Sequence, residues 1–271
     1  MDWAKAKTQL IYVFIILNIV LGYLLYNRNH SHYDDFDVAS ILKDNNITLN
    51  AEVPKPTSVE GRNLKYKVYT DDVIKRLFFK NPQVSGTDEL RKFIEGDKRV
   101  DLIQGKTIKY ANVPKPDGKL VKSVEDAKIK GKEFLTSIFG EENLRLTNAD
   151  FKYDRYNLEY EQVDIRNNLI LEIAYINLAL NENGVITMDR RDFEEATPVK
   201  TKVGIQYPKR KLLKLIDMSG VEGRTITDIE YCYSFDPTSI PYINNPEKVL
   251  SGVAKLALRV VLDNGRVIII E

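Results

Sequence analysis

The sequence predicts an α+β protein: one N-terminal transmembrane helix followed by an extracytoplasmic region with two related helix–antiparallel-sheet units. Three observations predict it. Residues 8–27 form an uncharged run of 20 residues. Apolar stretches end at Asn183-Gly184 and Asn264-Gly265, turn dipeptides whose positions tolerate positive φ. The two glycines lie 81 residues apart, and helix starts near 123 and 207 lie about 84 apart, so the order helix–strand–strand–strand recurs. Strands joined by tight hairpins are antiparallel, and one helix covers the inner face of each sheet.

The run at 8–27 is long enough, at ~1.5 Å per residue, to cross a bilayer's hydrocarbon core as a helix. A cleaved signal peptide would have a shorter apolar region and a small-x-small site. Here the run exits into Tyr26-Asn27-Arg28-Asn29-His30, so an uncleaved span is expected. Lys5 and Lys7 precede it and Arg28 follows, which favours an N-terminus inside and the rest of the chain outside the cytoplasm. Trp3, Tyr12, Tyr23 and Tyr26 are candidate interface anchors. Asn18 and Gly22 share a helix face that Ile11, Ile15 and Leu25 extend. On that face a small residue allows close helix approach and an amide can bond to a neighbouring helix. The same Asn and Gly can also be read as tolerated in an otherwise apolar span.

The expected segments are a short cytoplasmic N-terminus (1–7), the span (8–27), a juxtamembrane linker and helix (28–46), the N-terminal part of the outer region (47–122), and the two helix-plus-three-strand units (123–196 and 197–271). Within the linker a helix is expected at 36–45. Strands follow at 47–53, stopped by Pro54 and Pro56, and at 64–69. Val73, Ile74, Leu77 and Phe78 have helical spacing. Leu90, Phe93 and Ile94 suggest another short helix, and strands are expected near 98–104 and 106–113. Ser123 caps the best helix, with Asp126 three residues on. Val124, Ala127, Gly131, Phe134, Leu135 and Ile138 form its stripe, and Gly140 lies past its end. Residues 149–164 are tyrosine-rich strand, and residues 168–181 are an apolar strand covered on both faces. In the tail, Pro208 opens a helix carrying Leu212, Leu213 and Ile216, an alternating strand holds Ile229, Tyr231, Tyr233 and Phe235, and strands at 253–262 and 267–270 close the chain.

The inventory points away from most chemistry. Lys and Arg number 40 against 39 Asp and Glu, for a net charge of +1, which excludes the basic excess of a general nucleic-acid binder. One cysteine forbids an intrachain disulfide and a cysteine-based zinc cluster. His30 and His32 are the only histidines, and two ligands from a linker make a poor metal site. No phosphate-cradling or His-Glu-x-x-His motif is present. The pairs Asp34-Asp35, Glu141-Glu142 and Glu194-Glu195 read as solvated acidic turns, since glycoside hydrolysis needs carboxylates held across a cleft. Asp150, Asp154, Glu159 and Glu172 are the distant acids that a membrane-anchored cell-wall enzyme or accessory binding module would have to assemble. Cys232 reads as a small buried apolar group, and Lys209-Arg210-Lys211 as a solvated helix start. Tyr153, Tyr156, Tyr160, Tyr231 and Tyr233 admit two readings, half-buried strand residues or a protein-contact surface.

Met1-Asp2-Trp3, followed by Lys5, Lys7, a single span and an α+β tail of this length, resembles the YycI (WalI) family of Gram-positive bacteria. The likeness in plan covers the whole chain, and the specific motif is the N-terminal one. The resemblance implies a single-pass membrane protein that regulates the WalK (YycG) sensor histidine kinase and hence cell-wall metabolism. It implies a sister partner, YycH (WalH), transmembrane helices that contact the kinase, and an outer region like part of YycH. It implies no catalytic residues and no cofactor.

Overall fold

The computed structural model describes residues 3–30, 37–116, 120–140, 143–239 and 244–271, with side chains on the first helix described at residues 7 and 11–23. That helix, α1 (Trp3–His30), contains the whole expected span. Among the described residues no helix is long and apolar enough to cross a membrane. The described apolar part, residues 11–23, is exposed throughout.

The linker helix forms as α2 (Val38–Asp44), capped by Asp37, whose Oδ1 accepts from the Ala39 and Ser40 N–H groups at 3.1 and 3.2 Å. The strand expected at 47–53 shrinks to β1 (Thr48–Leu49), because its parallel partners are only Thr225 and Ile226. β2 (Thr57–Lys65) lies earlier than the strand expected at 64–69. Tyr66 makes one isolated bridge to Phe193, and Thr70 then caps α3 (Asp71–Phe78).

β3 (Gln83–Gly86), β4 (Leu90–Glu95), β5 (Lys98–Ile103) and β6 (Thr107–Ala111) form an antiparallel meander. The helix expected at Leu90, Phe93 and Ile94 is therefore a strand. Phe93 stands between Val84 and Val100 and is fully buried. In so short a segment the apolar spacing fits either period, and ladder pairing decides.

α4 (Val124–Phe139) forms as expected. Ser123 Oγ accepts from the Asp126 N–H at 3.1 Å, and Gly140 ends the helix at φ +82°. Ser123→Ala is expected to cost about 1 kcal/mol, the usual loss of an N-cap, read as a lower denaturant midpoint with unchanged slope.

β7 (Leu144–Lys152), β8 (Arg155–Asp164), β9 (Leu169–Asn181) and β10 (Gly184–Arg191) follow. The tyrosine-rich run breaks at Tyr153-Asp154, both at positive φ (54° and 60°), which makes a tight hairpin turn. The first unit thus has four strands rather than three. β11 (Thr197–Ile205) leads to α5 (Pro208–Leu212), which runs into a 3₁₀ turn at Leu213–Asp217. β12 (Thr225–Ser234), β13 (Ser251–Val253), β14 (Lys255–Leu262) and β15 (Val267–Ile270) complete the chain.

A 12-stranded sheet runs β15-β14-β12-β9-β10-β6-β5-β4-β3, with β8 and β7 on the other side of β9 and β1 beside β12. A small second sheet has the order β11-β2-β13. α4 seals the first core, setting Ala127 and Leu135 among Leu158, Ile176, Leu178 and the meander's Phe93, Val100 and Ile108. α2 and α5 seal the second, with Val38, Leu42 and Leu212 among Ile226, Leu258, Val260 and Ile268. β9 joins the two. Its far half pairs with β10, while Ile170 and Leu171 pair in parallel with Cys232 and Tyr233 of β12.

Candidate functional site

Strand alternation fixes what the open face of this sheet carries. On β8, Leu158 and Tyr160 point under α4, so Asn157, Glu159 and Glu161 point away from it. The result is an open polar trough of about 730 Å³, bordered by Arg99, Asp101, Lys109, Asp150, Asn177 and Asp189. A second hollow of about 650 Å³ adjoins it and shares Asn148, Asp150, Lys152, Glu159, Asn264 and Gly265. Opposite charges in the trough are paired: Arg99–Asp101 at 2.6 Å, Lys152–Asp150 at 2.7 Å and Lys109–Asp189 at 3.7 Å. Lys152 and the Asn157 amide hold the Asp150 carboxyl below the usual carboxylate range.

The second hollow is lined by Arg145, Glu230 and Arg259, part of a clasp of buried and half-buried charges. Arg145 on β7 is the ladder neighbour of Glu161 on β8, and Glu230 on β12 is the ladder neighbour of Arg259 on β14. The shortest ion pairs cross between units instead. Arg145 donates to Glu230 at 2.7 Å, and Arg259 donates to Glu161 at 2.7 Å, with a longer 3.4 Å bond to Glu230. Glu172 on β9 lies beneath them, its Oε2 3.9 Å from Arg259 Nε. Glu161 Oε2, Glu172 Oε2 and Arg259 Nε are buried without a hydrogen-bond partner. Burial and then repulsion from Glu161, against the attraction of Arg259, push the Glu172 carboxyl up from 4.5 to about 7. Burial also raises Glu161, with Arg259 opposing.

The backbone here is irregular. Residues 171–174 of β9 stand opposite Gln162 alone, where the ladder shifts between Glu161 and Val163. Ile173 within that bulge has φ +66°, a conformation β-branched residues rarely adopt. The bulge adjoins the Ile170 and Leu171 pairs that hold β12.

The residues expected from sequence scatter. Asp150 and Glu159 border the trough, Asp154 sits in the β7–β8 turn, and Glu172 enters the clasp. Tyr153 is 88% exposed at the hairpin tip, and the Tyr156 ring lies tilted against Phe151 at 4.8 Å between centroids. Tyr160 and Tyr233 are buried and so are withdrawn from any contact surface. Tyr160 packs under α4, and the Tyr233 hydroxyl donates to Glu60 O at 2.6 Å while accepting from Asn167. The Tyr231 hydroxyl donates to Lys55 O. Cys232 is buried with Ile170 and Ala257, and burial raises its thiol well above the ordinary range.

On α1, the Asn18 amide donates to Phe14 O of its own helix at 2.8 Å, and nothing lies within 4 Å of a Cβ built on Gly22. Ile11, Tyr12, Ile15 and Tyr23 are exposed, while the side chains of Trp3, Leu25, Tyr26 and His30 lie outside the described residues. His32 and the pairs Asp34-Asp35 and Glu141-Glu142 lie outside them entirely. Among the described residues, no group of three His, Cys, Asp or Glu is placed to hold a metal ion. The clasp residues Arg145, Glu161, Glu230 and Arg259 were missed from sequence. Their signal is a charge set in an apolar run, as Arg259 is between Leu258 and Val260, because a charge buried there must be paired.

The fold is similar to that of YycH from Bacillus subtilis, with a TM-score of 0.55 at 10% sequence identity over 80% of this chain and 52% of that one. The chain thus spans about half the length of that YycH structure. An uncharacterized protein from Eubacterium rectale gives a TM-score of 0.46 at 11% identity, over 83% of this chain and 86% of that one. The Bacillus megaterium YpeB C-terminal domain gives 0.41 at 10% identity, over 76% of this chain and 99% of that one. No family model matches the chain, and a search of curated proteins returns no match. At such identities the likeness to YycH is one of fold.

Proposed function

We propose that this chain is a non-catalytic, membrane-anchored regulator of a WalK (YycG)-type sensor histidine kinase, working beside a YycH-like partner in control of cell-wall metabolism. The observation that carries this reading is the YycH-like fold over 80% of the chain. It is joined by a feature of different kind, the N-terminal Met1-Asp2-Trp3, Lys5, Lys7 and uncharged run that resemble the YycI (WalI) family. In this reading residues 8–27 anchor the chain in the bilayer, the N-terminus lies in the cytoplasm and the sheets lie outside. The anchor then contacts the kinase's own helices through the face bearing Ile11, Ile15, Asn18, Gly22 and Leu25. A general acid needs a raised pKa and access to substrate. Asp150, which borders the trough, is held low, and Glu172, which is raised, is directed at Arg259 in the clasp.

Replacing residues 8–27 with an unrelated apolar helix is expected to change the output of a kinase-dependent reporter while the protein stays in the membrane. Unchanged output rejects signalling through the span. Affinity isolation of the full chain from solubilised membranes is expected to bring down a YycH-like protein and the kinase. An eluate lacking both rejects the partnership.

A further inference from the structure

The crossed clasp spans the short parallel seam between β9 and β12. Only two residue pairs, Cys232↔Ile170 and Tyr233↔Leu171, link β12 to β9, and they abut the bulge at residues 171–174. The clasp draws a side chain from each strand around that seam. These are Arg145 from β7, Glu161 from β8, Glu172 from β9, Glu230 and the buried Cys232 from β12, and Arg259 from β14. With every acid ionised, three carboxylates face two guanidiniums. Arg145 bonds Glu230, and Arg259 bonds Glu161 with a longer bond to Glu230, so the third carboxylate, Glu172, only shares Arg259 at 3.9 Å and has no hydrogen bond to its Oε2. A buried charge in that position either finds a counter-charge or takes a proton.

We propose that this clasp is a proton-operated joint: uptake of one proton by Glu172 tightens the seam between β9 and β12, and its release loosens it. With the proton on Glu172 the cluster is neutral, and the two crossed pairs hold the units together. Without it, Glu172 repels Glu161 beside a backbone already bulged at Ile173. The raised Glu172 carboxyl, at about 7, puts the transition near neutrality. The sign follows from linkage. Glu172 holds its proton more tightly folded than unfolded, so its contribution to stability is full at low pH and is lost as pH rises from about 4.5 to about 7. The inference concerns the joint itself and does not depend on the kinase reading.

The test uses the full chain in detergent micelles. Between about pH 5.5 and about pH 8 the wild-type melting temperature is expected to fall by several degrees, on the order of 5 °C. Glu172→Gln, which mimics the protonated acid in nearly the same shape, is expected to remove most of that fall. Infrared difference spectra should show a protonated-carboxyl C=O band that titrates near neutrality and is absent from the variant. Amides of residues 225–234 should exchange faster at the higher pH after correction for intrinsic rates. The same pH dependence in wild type and Glu172→Gln overturns the proposal. If the variant does not fold, the wild-type infrared band decides: a band titrating near neutrality supports the joint, and its absence rejects it.

Discussion

Arg259→Met is expected to be among the most damaging single substitutions in the chain, costing about 3–5 kcal/mol at pH 8, as when one partner of a buried ion pair is removed. Methionine keeps most of the apolar stem and so limits the cavity. What disappears is the cation that faces Glu161, Glu172 and Glu230 together. Arg145 cannot take its place, since it is already engaged with Glu230 and with the Asn168 carbonyl. Three buried or half-buried carboxylates would remain around one guanidinium. Those acids can escape by binding protons, so the loss must shrink as pH falls towards about 5. Denaturant unfolding of both proteins at the two pH values checks this. A loss that is equal at both would place the cost in packing rather than in the uncompensated acids. A conservative Arg259→Lys should recover only part of the stability, because an ammonium cannot reproduce the short bond to Glu161 and the longer one to Glu230 from one planar fork.

The readable parts of this fold were those with a local physical signature. Ser123 with Asp126 and Gly140 announced both ends of α4. Asn183-Gly184 and Asn264-Gly265 announced turns that the chain makes. The parts missed depend on distant pairing. Leu90, Phe93 and Ile94 have a spacing that a helix would also use, and only Val84 and Val100, on neighbouring strands, make them a ladder. Tyr153-Asp154 lacks glycine, so a turn with two residues at positive φ left no signal. The clasp follows the same rule. A charge such as Arg259 in an apolar run signals burial, but only the order β7-β8-β9-β12-β14 shows which charges meet. Glu172 stood out only as one of the distant acids that an enzyme would have to assemble, and its partner Arg259 is 87 positions away, beyond the reach of any local pattern.

Gly131 should tolerate no side chain beyond a methyl, and even that at a loss. It sits in the middle of α4, where alanine would ordinarily gain ~1 kcal/mol over glycine. Here a Cβ would come 2.6 Å from Leu158 Cδ1 and 3.2 Å from Leu178 Cδ1. Both leucines are buried in the core that α4 seals, so neither methyl can swing into solvent. Overpacking of this kind costs about 1–3 kcal/mol, so Gly131→Ala is expected to show a net loss of about 1 kcal/mol despite its better propensity. Gly131→Leu must lift the helix from β8 and β9. That would uncover Phe134 and Leu135, with a loss of roughly 3 kcal/mol or more, at the upper end of overpacking costs. Leu158→Val alone should cost ~1 kcal/mol, by the usual loss of one buried methylene. Combined with Gly131→Ala it should cost less than the two added together, because the valine vacates the space that the new methyl needs. A urea-denaturation double-mutant cycle measures that coupling. If Gly131→Ala instead stabilises the protein, the helix does not approach the sheet this closely, and the first core is looser than its geometry indicates.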